Sequence, residues 1–551
     1  MGCRSQSNEI LRESAILYPA RADLHAISGH NVACPSPAQI GTGNSLAETA
    51  VQGMRQLAPV LRFQPWGDAL SARAVRACAI LATVALLPGC ILKQDLPDPA
   101  FDIPAAYQKD ATPHKQDAPP SLDWWRGFRS QELTVLMEET QQVNLDIAAA
   151  TARILQADAL ARTAGAALLP TLNANASATR SKSSSGFLNN GTAAARGTIN
   201  TYSTSLSASY EIDLWGKNRD ALLAVEKTAD ANRFDRDTVV LTSLASVANA
   251  YFQVLAAQDR IATAHRNIAS AQRIYDAIKA RVNAGTSSDL DLAQQESLLA
   301  NQRAAVPPLR QTLTQNINIL ATLVARPPER IRLKGGSLSR ISAPRITPGL
   351  PSELLIQRPD IRRQEAQLAS ATANVGSARA QFFPSIQLTG QGGYQSAALS
   401  ALFMPQSAFF NLAAGLTQPI FDAGRIQANF DLTKAQQDEL LQTYRKTVIS
   451  AFSDVDTALD AVKQTADRLR LQRIVVASSR RAFELSEKQL QAGTADIVTV
   501  LNTQQTLFQA EDTLQQVQLA WLQSYVSLFS ALGGGWEPQT VLTTTGPTNA
   551  L

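Results

Sequence analysis

The sequence predicts an α+β membrane protein built from a duplicated helix-strand-strand-helix-helix repeat, its strands belonging to a transmembrane β-barrel that continues into a long periplasmic α-helical barrel. Three observations predict this. The chain matches itself at a nearly fixed offset, four short stretches alternate strictly between apolar and polar residues, and residues 217–282 and 425–490 each run 66 residues without a proline.

The repeat decides the architecture. At an offset of 208 residues, Ala284-Gly285-Thr286 falls on Ala492-Gly493-Thr494 and Gly216-Lys217 on Gly424-Arg425. Between these anchors Val448, Phe452, Val455, Leu459, Val462, Ala466 and Leu469 step by four and three, the seam of a helix packed on a neighbour. Val240, Leu244, Val247, Tyr251, Val254 and Ile261 repeat that seam, and Gln258 alone breaks it. Upstream the offset is 214, because one loop differs by six residues between the copies. There Ile154, Ala157, Ala161, Ala164, Leu168 and Pro170 fall on Leu368, Ala371, Val375, Ala378, Phe382 and Pro384. Each proline is expected to close a helix, after which the period changes to two.

In the first repeat, residues 124–330, the expected strands are about 171–181 and 201–214. From Thr171 to Thr179 every even position of the first is apolar, and in the second Tyr202, Leu206, Ala208, Tyr210, Ile212 and Leu214 oppose Ser203, Ser205, Ser207, Ser209, Glu211 and Asp213. In the second repeat, residues 352–536, the strands are about 385–395 and 409–421, with Ile386, Leu388, Tyr394, Phe410, Leu412, Ala414 and Leu416 on the apolar face. Residues 331–351 link the repeats. Such alternation also suits a half-buried soluble sheet. Strand length favours a tilted membrane strand, and Tyr202, Tyr210, Tyr394 and Phe409 near strand ends suit an aromatic girdle.

Four strands cannot close a barrel, and lipid does not tolerate open edges, so subunits must pool their strands. Two, three or four subunits are the geometric options, since known single-chain barrels start at about eight strands. The proline-free stretches would form helices about 100 Å long at 1.5 Å per residue. Each has a seam for neighbours and polar residues elsewhere, as a wall of side-by-side helices requires.

The N-terminal region carries a separate signal. Ala77 to Leu87 is an uncharged apolar run of 11 residues preceded by Arg73 and Arg76, too short to span a bilayer but suited to a secretory signal. Leu87-Pro88-Gly89-Cys90 ends it and resembles a bacterial lipobox, in which the cysteine is acylated and becomes the mature N-terminus; Ile91 after it favours the outer membrane. A signal must be N-terminal, so Met54 is the expected start, 1–53 an upstream extension, 54–89 the signal peptide, 90–123 a Pro-rich tether and 537–551 a disordered tail.

Composition excludes other classes. A net charge of +4, without basic runs interleaved with aromatics, gives no nucleic-acid surface. All four cysteines lie at or before Cys90, so no disulfide framework holds the body. His25, His30, His114 and His265 are widely separated, and no nucleophile elbow or phosphate loop occurs, so neither an enzyme, a metal site nor a cofactor is expected.

Several stretches resemble outer-membrane factors of the TolC and OprM kind. They are Trp124-Trp125 with Phe128, Leu133 and Leu136; Asn144-Leu145-Asp146 and Arg153; Tyr210 to Gly216; and Gln418 to Arg425. The run from Gly349 through Gln357-Arg358-Pro359-Asp360-Ile361-Arg362 to Gly376-Ser377-Ala378-Arg379-Ala380-Gln381-Phe382-Phe383-Pro384 resembles the lipoprotein branch associated with resistance-nodulation-division (RND) pumps. The resemblance implies a homotrimer with 12 strands, a periplasmic adaptor (membrane fusion) protein, an inner-membrane RND pump, and passive efflux of drugs or other small toxic solutes. A type I secretion exit duct is the alternative within that class. A lipid-anchored coiled-coil scaffold without a pore is the alternative outside it.

The resemblance also locates a periplasmic aperture at the two tight turns, with Gly285 and Gly493 as helix stops and Ser288, Asp289 or Asp496 as caps of the next helices. Relatives often carry a carboxylate ring just beyond. Here Thr499 and Asn502 are neutral in the second copy, which leaves Asp289, Asp291 and Asp496 as acidic candidates; exposed caps and surface charges are the plainer reading.

Overall fold

Gly216 and Gly424, which the repeat aligns, both adopt positive φ, +83° and +82°, immediately before the two longest helices. The same left-handed step thus turns each hairpin exit into a helix, a conformation that costs an L-residue roughly 1–2 kcal/mol. In the computed structural model the described residues are 95–100, 122–182, 198–344 and 351–536. The expected extension, signal peptide, Cys90, most of the tether and the tail at 537–551 lie outside them.

Helices α1 (Gln131–Val143) and α2 (Leu145–Gly165) lead to strands β1 (Thr171–Lys182) and β2 (Thr198–Ile212), then the long α3 (Lys217–Asn283), α4 (Asp289–Ala304) and α5 (Val306–Leu323). The second repeat has α6 (Pro351–Gln357), α7 (Pro359–Ala380), β3 (Ser385–Ser396), β4 (Ala408–Thr417), α8 (Arg425–Gln491) and α9 (Ile497–Ala531). Helices α3 and α8 have 67 residues each and sit at the 208-residue offset end to end, as do the start of α4 and the start of α9.

Some boundaries differ from expectation. The second strand spans 198–212 rather than 201–214, because a turn bonded from Leu214 N–H to the Ile212 carbonyl already ends it. The fourth stops at Thr417 rather than 421: Pro419 has no N–H for a ladder, and the Gln418 side chain turns to the Phe382 carbonyl at 3.2 Å. The helix after the first tight turn is two helices where the second copy has one, divided before Pro307-Pro308, which occupy the first turn of α5. The expected linker is packed, not free, over its described part. Leu338 is fully buried, and the Asp259 carboxylate accepts from Leu338 N–H at 2.8 Å and Ser337 Oγ at 3.0 Å. Gln258, the break in the first seam, faces this segment and accepts from Gly336 N–H at 3.4 Å.

The strands form one antiparallel sheet in the order β1-β2-β3-β4, with β2 and β3 joining the two repeats. Beneath it α3 packs on α7 through small residues, Ala366, Ser370, Ala373 and Gly376 among them. The Asp220 carboxylate occupies the space a Cβ at Gly376 would need, and Ser377 Oγ donates to the Lys217 carbonyl at 2.9 Å, so the Gly-Ser pair lets the two helices approach closely. Farther down, Trp124, Trp125 and Phe128 close over α3 and α9, Trp124 stacking on Phe529 with ring centres 4.8 Å apart.

Candidate channel lining and helical turns

The register assigns two chemically different faces to the sheet. Ala174, Leu206, Gly392 and Phe410 form one cross-strand row, so Leu172, Leu206, Leu388, Leu412 and Leu416 share a face, and all of these leucines are exposed. Leu206 is 54% exposed and Leu412 78%, an arrangement no water-facing sheet gains from. Tyr210 stands on this face at the helix end and Tyr202 and Tyr394 at the loop end. Eight residues separate Tyr202 from Tyr210, about 26 Å along a strand, close to the apolar band of a membrane barrel. Phe409 departs from the expected girdle: paired with Gly393 it falls in the row of Asn175 and Ser205, on the polar face.

The opposite face is a neutral hydrogen-bonded ladder. Asn175 Nδ2 donates to Ser207 Oγ at 3.2 Å, Ser177 and Ser203 hydroxyls pair at 2.9 Å, and Gln387 and Gln391 donate to Ser209 and Ser205 at 2.6 and 3.1 Å. These cross-strand pairs hold amide and hydroxyl groups in place while leaving the face wettable and uncharged along most of its length. Charge appears only toward its ends, as in the Lys217–Glu211 pair at 2.5 Å.

At the far end of the long helices the two tight turns are the same motif. Thr286 N–H donates to the Arg281 carbonyl at 2.8 Å and Gly285 N–H to Val282 at 2.9 Å; Thr494 and Gly493 repeat this with Gln489 and Leu490 at 2.9 and 3.2 Å. Gly285 and Gly493 have φ of +74° and +71°, and each threonine hydroxyl adds a bond to the same carbonyl as its own amide. The glycine and the threonine of the recurring Ala-Gly-Thr therefore each have a role.

The acidic candidates divide by what holds them. Ser288, not Asp289, caps α4, and Asp291 completes a capping box, its Oδ2 accepting from Ser288 N–H and Ser287 Oγ at 3.0 Å each. The Ser288 amide bond, assisted by the Ser288 and Ser287 hydroxyls against slight desolvation, holds Asp291 below the usual carboxylate range. Asp496 caps α9 and is held low by the Thr499 hydroxyl at 2.6 Å and the Thr499 amide at 2.9 Å; the charge of nearby Asp291 opposes this and is outweighed. Thr499 is thus a cap partner, while Asp289 and Asn502 are exposed and make no side-chain hydrogen bond or ion pair among the described residues. The structure brings Asp291 and Asp496 together at one end of the chain.

One contact farther along α3, away from the turns, was not legible in the sequence. Arg260 of α3 grips Asp512 of α9 through two bonds of 2.7 and 3.0 Å, tying the hairpins of the two repeats together. The partners are 252 residues apart, and no local pattern marks either.

The chain is similar to known proteins over most of its length. The family model described as outer membrane efflux protein matches residues 136–326 and 350–534. The pyoverdine export outer membrane protein OpmQ of Pseudomonas putida is 39% identical over 436 residues, 79% of this chain and 92% of that one. The cation efflux system protein CusC of Escherichia coli O6:H1 is 30% identical over 465 residues, 84% and 98% of the two chains. Among solved structures, the outer-membrane channel OprN superposes with a TM-score of 0.72 at 28% identity, covering 80% of this chain and 99% of that one. The open state of the Neisseria gonorrhoeae MtrE channel superposes with a TM-score of 0.71 at 29% identity, covering 81% and 99%.

Proposed function

Since this chain belongs to the outer membrane efflux protein family and is a non-enzymatic outer-membrane channel of an efflux system, we propose that three copies pool their strands into one 12-stranded barrel whose helices continue as a periplasmic conduit. The observation that carries this is the sheet itself: β1 and β4 are unpaired edges of a sheet with one face of exposed leucines. In lipid such edges must find partners. β4 of one copy beside β1 of the next keeps the antiparallel alternation, so the ring closes without a mismatch. Two repeats per chain then give six quasi-equivalent units in a trimer.

In this reading the neutral ladder lines the lumen, and solutes pass it without strong selection by charge. The channel serves a periplasmic adaptor and an inner-membrane RND pump, with the turns at Gly285 and Gly493 forming the aperture that they open. Asp289, Asp291 and Asp496 are its acidic residues and Thr499 and Asn502 its neutral ones. Cys90 is the acylated mature N-terminus, following a signal at 54–89, and 90–123 tethers it to the repeats at 124–330 and 352–536. For the exported solute, the 39% identity to a pyoverdine exporter against 30% to a cation efflux protein favours a siderophore over metal ions or drugs.

Planar-bilayer recordings with cross-linking test the central claim. Long-lived conductance from a three-copy species is expected; a non-conducting protein would leave the anchored scaffold, and conductance from another stoichiometry would overturn the trimer. Intact mass beginning at an acylated Cys90, abolished by Cys90→Ser, tests the anchor, and retention of residues 54–89 in working protein would refute it.

A further inference from the structure

Beside Tyr251, 34 residues along α3 and so about 50 Å below the sheet, the segment from Arg326 to Ile341 folds against α1 and leaves a groove of about 570 Å³. Its walls carry Arg129, Arg326, Arg330, Arg332, Lys334 and Arg340. The segment alternates. Ile331 and Leu333 pack on the core, so Arg332 and Lys334 stand outward and exposed.

The carboxylates within reach are already engaged. Glu132 accepts from Lys334 N–H at 2.7 Å and from the Tyr251 hydroxyl at 3.2 Å, and Glu139 pairs with Arg326 at 2.5 Å. Asp259 beneath is taken by Ser337 and Leu338. Arg129, Arg330, Arg332, Lys334 and Arg340 have no ion-pair partner among the described residues, and Glu329 is the single further carboxylate on the segment. The walls carry six cations against the carboxylates of Glu132 and Glu139, with Glu329 beside them, and the positive excess that remains favours an anion that joins the cations.

We propose that this groove binds a carboxylate-bearing polymer, the chemistry of cell-wall peptide stems, and so fixes the channel against it at mid-height. The proposal rests on the periplasmic placement of the helices. Guanidinium groups pair with carboxylates through two bonds, an open groove admits a chain passing through rather than a small enclosed ligand, and a depth of about 50 Å puts lipid phosphates out of reach.

The test uses full-length protein in detergent, sedimented with purified sacculi, with conductance recorded on the same samples. Wild type should co-sediment and be released by salt. Arg330→Gln/Arg332→Gln/Lys334→Gln should bind about fivefold less with unchanged conductance. Arg473→Gln/Arg481→Gln/Lys488→Gln, which removes three exposed cations of α8, should bind normally. Sacculi with amidated carboxylates should bind neither wild type nor variant. Equal binding by the groove variant, or equal binding to amidated sacculi, overturns the proposal while conductance still upholds the channel. Loss of binding to an acidic protein partner without any effect on sacculi also overturns it and reassigns the groove to that protein.

Discussion

Arg358 donates from Nη1 to the carbonyl oxygen of Ala531 at 3.2 Å, and Asn144, its counterpart in the first repeat, donates from Nδ2 to the carbonyl of Leu323 at 2.8 Å. Leu323 and Ala531 are the last residues of α5 and α9. Each repeat therefore uses the residue that starts its upward helix to satisfy the end of its returning one. Arg358 does more than Asn144: it also holds Asp360 by two bonds of 3.0 and 2.6 Å and reaches Asp454 at 3.1 Å.

From this, Arg358→Ala should destabilise by about 2–3 kcal/mol, since it strands a half-buried carboxylate and a helix-end carbonyl together. Asn144→Ala should lose about 1 kcal/mol, the typical worth of an N-cap. Thermal unfolding of the assembled protein at fixed concentration ranks the two, and an equal or reversed order would refute the asymmetry.

The same pair gives a pH dependence. Burial opposes the ionised form of Asp360, but the hydrogen bonds and charge of Arg358 outweigh it and hold the carboxyl below its ordinary value. A depressed carboxyl contributes its stability fully above the unfolded value, near 4, and loses it as pH falls through the folded value. The unfolding midpoint should drop below about pH 4, and Asp360→Asn should flatten that drop. An unchanged profile in Asp360→Asn would place the acid sensitivity elsewhere.

On the sheet, Leu206→Arg or Leu412→Arg should cost about 2–4 kcal/mol near the membrane midplane and impair assembly. Ser207→Arg, on the ladder face, should assemble and instead favour anions in reversal-potential measurements. Equal tolerance at the two faces would mean that the leucine face does not meet lipid.

At the turns, Asp291 and Asp496 are held below the usual carboxylate range and stay ionised through mildly acid conditions. The contribution of Asp291 to cation selectivity should therefore be flat from about pH 5 to 8. Asp289, exposed like Asp496, has no capping duty. Asp289→Asn should reduce selectivity without loosening α4, Asp289→Asn with Asp291→Asn should reduce it further, and Asp496→Asn should change mainly the stability of its turn. Unchanged selectivity in the double variant would end the acidic-aperture idea and leave the channel intact.

The sequence by itself determined the four strands, the two long helices and their order. Period-two alternation, proline-free length and the 208-residue echo are properties of consecutive residues, and α3 and α8 fall within one residue of their expected ends. The helix stops were equally legible, because an Ala-Gly-Thr turn is closed by its own backbone. What only the tertiary structure decided involves residues far apart in the chain. Gln258 looked like a flaw in a seam until the segment between the repeats was found lying over it. Asp291 looked like a free charge until Ser287 and Ser288 closed around it. Local pattern fixes which way a backbone runs, but a side chain's role depends on what arrives from elsewhere to meet it.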